Sequence, residues 1–166
     1  MGNEAENSRV RAAGLKFKTR MAPSTLLDEQ RLPERRGYRV IRNAIDPRDG
    51  TTWDIRVSEA KIESIAKRSW GQVKELAYLV PEVLSGPTAV FQGVREVGEK
   101  DWLCYCGVPG YAYAKDGRRI AARIGEVYLV FVNADRVAYN FRWEHCDTVK
   151  RSFPKDYETR FDIWVL

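Results

Sequence analysis

At 166 residues, with 44% hydrophobic residues and five Trp, eight Tyr and six Phe, the chain has enough apolar material for one packed core, which excludes wholesale disorder. Lys and Arg outnumber Asp and Glu by 28 to 23, a net charge of +5 that admits a nucleic-acid or acidic-protein partner without demonstrating one. No apolar run approaches the roughly 20 residues of a membrane-spanning helix, so no membrane contact is expected.

Met1-Gly2-Asn3-Glu4-Ala5-Glu6 has no apolar run, and no secretory signal is expected there. Residues 1–36 are polar and Arg-rich and read as a basic, flexible tail; Arg9, Arg11, Lys16, Lys18 and Arg20 follow one another with no acid among them. The composition shifts near Gly37, and residues 37–166 read as a single α+β domain. Residues 38–42 and 51–57 read as two strands, joined through Asp46-Pro47-Arg48-Asp49-Gly50. Ser58 stands at a helix N-cap position, with Glu59 in the first turn. Ile62, Ile65 and Ala66, then Val73, Leu76, Ala77 and Val80, repeat at helical spacing. This pattern predicts two helices, or one interrupted near Trp70-Gly71, followed by a turn from Pro81 to Pro87.

Past that point the period changes. Ala89-Val90-Phe91 and residues 102–106 read as strands, and Lys115-Asp116-Gly117-Arg118 as a turn. Glu126 to Val132 is continuously apolar after its first residue, as in a central strand covered on both faces. Asn133-Ala134-Asp135 turns into a strand in which Val137, Tyr139, Phe141 and Trp143 alternate with Arg136, Ala138, Asn140 and Arg142. A last strand is expected over residues 161–166. The fold class is therefore α+β: an N-terminal hairpin and helices packed on a curved antiparallel sheet formed mainly by the C-terminal half.

Arg142, Glu144 and His145, at the end of the alternating strand, combine three residue types that metal-independent RNA cleavage requires. A base takes the 2′-hydroxyl proton, a cation stabilises the phosphorane and an acid protonates the leaving oxygen. Arg136, Arg142 and Glu144 share a face of an ideal strand; His145 faces the other way unless the strand end re-aims it. The competing account is a solvated strand face with ordinary ion pairs. Tyr139 and Asn140 on the strand, with Lys150, Arg151 and Arg160 beyond it, extend the substrate-binding candidates. Cys104, Cys106, Cys146 and His145 could supply zinc ligands, but the spacing is not that of a common zinc motif, and buried small residues explain the pair Cys104 and Cys106. No metal or other cofactor is expected, and reduced thiols fit a cytoplasmic setting. The absence of a P-loop, a dinucleotide fingerprint and H-E-x-x-H removes the corresponding NTPase, oxidoreductase and zincin readings.

The order of elements, helical residues 58–80, then Leu84-Ser85-Gly86-Pro87, then strands ending in residues 137–143 and Arg160-Phe161, resembles the barnase–EndoU–colicin–RelE group of small nucleases, particularly its phage-associated members. The resemblance covers roughly residues 57–166. It implies metal-independent RNA cleavage on the sheet face, often in a toxin or mobile-element setting, and Glu144, Arg142 and His145 are similar in type to that group's acid–base and phosphate-binding residues; the first reading is then a basic RNA-directed domain with Glu144 as base, His145 as acid and Arg136 and Arg142 as phosphate ligands. RNA is then the expected partner. The alternative is a non-enzymatic interaction module of phage, mobile-element or bacterial origin that binds a protein, either an inhibitor or a complex subunit.

Overall fold

The computed structural model describes residues 22–30, 32–93 and 102–152. The basic run from Arg9 to Arg20, Arg160 and the strand expected over 161–166 lie outside the described residues.

Structure begins before Gly37. A short helix, α1 (Pro23–Glu29), buries Leu26 and Leu27 in the main core, where Leu32 joins them, so the polar composition ahead of Gly37 does not mark the domain edge. Arg39 holds this segment in place: its guanidinium, almost wholly buried, bonds Asp28 on α1, the Leu32 carbonyl at 2.9 Å and Glu59 at 3.0 Å. Strands β1 (Glu34–Arg35), β2 (Tyr38–Ile45) and β3 (Thr52–Ser58) form an antiparallel sheet in that order. The expected hairpin turn is present, with Asp46 accepting from the backbone and guanidinium of Arg48. Asn43, at φ +67°, supplies a bulge between the Ile41 and Ala44 pairings, which lets both of those residues enter the core.

Ser58 caps α2 (Glu59–Arg68) by accepting from the Lys61 N–H at 3.1 Å. The interruption falls at Ser69, whose extended backbone ends α2 and whose hydroxyl accepts from the Gln72 N–H to start α3 (Trp70–Lys74). The helix then widens into a π-turn over Glu75–Leu79 and runs on as α4 (Val80–Ser85). The turn expected from Pro81 is therefore helix. Proline lacks an N–H and its ring crowds the carbonyl four residues back, but here it enters in the first turn after the widened segment, where Val80 already bonds back to the Glu75 carbonyl.

The C-terminal sheet is antiparallel, built from β4 (Ala89–Gly93), β5 (Trp102–Gly107), β8 (Glu126–Asn133) and β9 (Ala138–His145) in that order. Between β5 and β8, β6 (Tyr111–Tyr113) and β7 (Arg119–Ala121) form a separate hairpin around the predicted Lys115–Arg118 turn. The inner strand β8 is buried on both faces, as its apolar run predicts. Tyr128, Val130 and Val132 join the helices and β2–β3 in the main core, while Leu129 and Phe131 join Cys104 and Cys106 in a second cluster, on which Val149 of α5 (Cys146–Ser152) packs. The expected alternation of β9 is broken at its start. Phe131 pairs with Asn140 and Val132 with Ala138, so Tyr139 is the extra residue of a bulge. Phe141 and Trp143 stay with the main core, but Tyr139 packs on Phe131 in the second cluster, its ring centroid 6.1 Å away.

Candidate functional site

Beyond the bulge, Arg142 and Glu144 keep their expected common face and meet there, Arg142 Nε donating to Glu144 Oε2 at 3.2 Å. The Arg142 guanidinium also lies over the Phe131 ring, 4.9 Å from its centroid. Glu144 Oε1 accepts from the His145 backbone N–H, so both carboxylate oxygens are engaged. His145 closes β9, and its Nδ1 accepts from the Asp147 N–H at 3.2 Å, a bond that uses the ring lone pair to cap α5. Asn140 is half-buried beside Phe131. Lys150 and Arg151 fall on α5.

Arg136 departs from this group. It precedes the bulge, stands at φ +63° in the β8–β9 turn, and its guanidinium covers Trp53, 4.6 Å from the ring centroid. One residue of phase is the reason: a bulge between Arg136 and Arg142 removes the common face that unbroken alternation would give them. The two arginines serve different concavities.

The concavity that Arg142 lines is a cleft of about 780 Å³ between the α2–α3 junction, the β6–β7 turn and the end of β9. Lys67, Arg68, Lys115, Arg123 and Arg142 contribute five cations to it. Two close approaches hold the walls together. A Cβ on Gly71 would stand 2.1 Å from the Ala114 carbonyl oxygen, and one on Gly117 would stand 2.3 Å from Trp70 Cδ1, so only glycine lets the hairpin turn seat on α3.

The one carboxylate in this wall is Glu75, the first residue of the π-turn. It is 7% exposed, and its Oε1 accepts from the buried Tyr128 hydroxyl at 3.0 Å. Burial pushes its pKa up to about 7, against the opposing pull of the Tyr128 bond and the nearby Arg123 charge. Glu75 is thus poised between its two protonation states near neutrality, as a general base or acid must be. Trp143 stands edge-on to Tyr128 at 5.4 Å, and its Nε1 is a buried donor with no acceptor among the described residues. Tyr113 also lines the cleft and packs against Tyr78 and Tyr111, with centroids at 5.8 and 5.6 Å.

The sequence pattern points to Arg142 but misses Glu75. The signal for it is local: Glu75 stands directly before Leu76-Ala77 among the apolar residues Val73, Leu79, Val80, Val83 and Leu84, whereas Glu82, the other acid of the segment, is exposed. The cysteines are accounted for by packing: Cys104 and Cys106 are buried together, and burial raises both thiols, Cys106 to about 11. Among the described residues no three His, Cys, Asp or Glu side chains converge as a metal site.

Fold and cleft together define an α+β protein with a cationic cleft floored by a neutral-range carboxyl. Comparison with known proteins does not narrow this class: no protein-family model matches the chain, and neither a curated protein nor a solved structure matches it.

Proposed function

We propose that this protein acts on RNA, holding the phosphodiester backbone in the cationic cleft and cleaving it without a metal ion, with Glu75 as the general base. The observation that carries the reading is a buried carboxyl, titrating at about 7, inside a cleft with five Lys and Arg residues. A phosphate brought there meets several cationic donors at once, and the same charges stabilise the extra negative charge of a phosphorane. Glu75 takes the 2′-hydroxyl proton as the 2′-oxygen bonds phosphorus. The bond from phosphorus to the 5′-oxygen breaks, and that oxygen takes a proton from an ammonium group of the rim, Lys67 or Lys115. Tyr113 and Trp143 form the apolar part of the wall beside the bound phosphate.

The activity is the one implied by the resemblance to the small nucleases, but the base is a helix residue instead of Glu144, whose oxygens are occupied by Arg142 and a backbone amide. The experiment is cleavage of a fluorescent single-stranded RNA in EDTA by the wild type, Glu75→Gln, Glu144→Gln and His145→Ala. Loss of cleavage at least 100-fold in Glu75→Gln alone supports the assignment. Loss confined to Glu144→Gln and His145→Ala returns the chemistry to the strand end, and equal cleavage by all four, or none by any, removes the catalytic claim.

A second reading, a protein-interaction module, is favoured by exposed apolar side chains at Val108, Ile120 and Ile124, the last 98% exposed.

A further inference from the structure

The concavity that Arg136 lines is a groove of about 860 Å³ at the opposite end of β9, walled by the β1–β2 turn, β3 and the β8–β9 turn. Four arginines line it, Arg35, Arg36, Arg56 and Arg136, against two carboxylates, Asp54 and Asp135, and the Arg136 guanidinium rests on Trp53 beside it. Arg56 is fixed in place: its guanidinium lies 4.7 Å over the Tyr38 ring and donates to the Asp135 carbonyl at 2.8 Å. The wall is itself tied together, since the Arg56 N–H bonds the Arg136 carbonyl at 2.8 Å and Arg56 bridges Val137.

Two of these arginines sit where the backbone prefers other residues. Arg36 and Gly37, at φ +50° and +84°, are the central pair of a two-residue hairpin between the partners Arg35 and Tyr38. Positive φ at both central positions is the type I′ turn, for which Asn-Gly is the favoured pair. Arg136, at φ +63°, follows a turn closed by its own N–H on the Asn133 carbonyl, at a position where glycine is favoured. A left-handed backbone costs a non-glycine residue roughly 1 kcal/mol or more, and such sites cluster where a side chain has a role. Here both strained arginines line one groove.

We infer that this groove is a second phosphate-binding site for the same RNA chain that the cleft engages. The inference rests on the RNA assignment above. Arg136 stands in the turn that leads into β9 and Arg142 near the strand's far end, and β9 is the outer strand of its sheet. An RNA running along that edge is held at one end by the cleft and at the other by the groove, so the groove sets affinity and the length of RNA engaged. Arginine suits the task because its planar fork bonds two phosphate oxygens at once.

The test uses the full chain and a fluorescein-labelled, 2′-O-methylated 12-nucleotide RNA, which binds without being cut, read by anisotropy between 50 and 200 mM salt. The variant is Arg36→Asn with Arg136→Gly, both substitutions suited to their backbone positions. Removing one phosphate-neutralising cation lowers the salt slope by about 0.7 for a single strand, so the double variant loses about 1.4, or about 25-fold in affinity at 100 mM salt. Its melting temperature stays within about 5 °C of the wild type, because relieved strain offsets the lost stacking of Arg136 on Trp53. Arg36→Lys with Arg136→Lys keeps the slope. Unchanged slope and affinity in the double variant, with tight wild-type binding, overturn the groove and leave the cleft reading standing. No binding by the wild type removes the RNA assignment and the groove with it. A double variant that binds weakly but also melts more than about 5 °C lower, a shift of about 1 kcal/mol, overturns the inference, because the arginines then act through the fold.

Discussion

Replacing Glu75 with Gln tests the central feature of the cleft without needing a substrate. Gln keeps the volume and the oxygen that accepts from Tyr128, and it removes the titration. In the unfolded chain a glutamate titrates near 4.3, whereas in the fold burial holds Glu75 at about 7. Below about pH 4 the group is protonated in both states, and wild type and variant differ little. Between those two values the native state keeps a proton that the unfolded state has released, so wild-type stability falls as pH rises. Above pH 7 the loss is complete. A shift of this size, at 1.36 kcal/mol per unit, corresponds to about 3 kcal/mol of destabilisation at pH 8 that the Gln variant escapes. Urea unfolding of both proteins at pH 4.5, 6 and 8 measures the difference, in which every other titrating group cancels. The variant should gain on the wild type steadily with pH, reaching a midpoint shift of roughly 1–3 M at pH 8 for an m-value of about 1–3 kcal/mol/M. A difference that is flat with pH, or a variant less stable at pH 8 than the wild type, would refute the picture of a carboxyl held out of water.

Two further substitutions test how the site is built. Gly117→Ala combines a left-handed backbone, φ +94°, with a Cβ that runs into Trp70, and should cost about 2–4 kcal/mol in chemical unfolding while loosening the hairpin that carries Lys115. A loss under about 0.5 kcal/mol, the scale of an ordinary surface substitution, would mean that the hairpin is free of α3. Arg39→Met removes the buried guanidinium that joins α1, β2 and α2; because Asp28 and Glu59 retain access to water, the expected loss is about 1–3 kcal/mol. Amide exchange in α1 should rise more than exchange in β8, and an equal rise in both would deny Arg39 its local role.

The α+β class, the first hairpin, the Ser58 cap and the central position of β8 were legible because each rests on a local signal: turn residues, a capping hydroxyl, an unbroken apolar run. What the pattern missed came from insertions of one residue. The bulge at Tyr139 exchanges the faces on either side of it, so the single run of alternation read from Val137 to Trp143 is two runs out of phase. That one residue parts Arg136 from Arg142. The π-turn at Glu75–Leu79 has the same effect on a helix, burying Glu75, Leu76 and Ala77 in succession, which 3.6-residue periodicity does not allow for. Neither insertion has a composition of its own, and Pro81, the nearest visible mark, reads more readily as the end of a helix than as its continuation.

These two insertions also explain why the cleft lies where it does. The π-turn opens on Glu75, which is buried where the Tyr128 hydroxyl of β8 meets it. The bulge leaves the second half of β9 in the phase that sends Trp143 inward beside Tyr128 and Arg142 outward onto Phe131. Pi-turns and bulges both recur next to functional sites, and in this chain each supplies one wall of the same cleft.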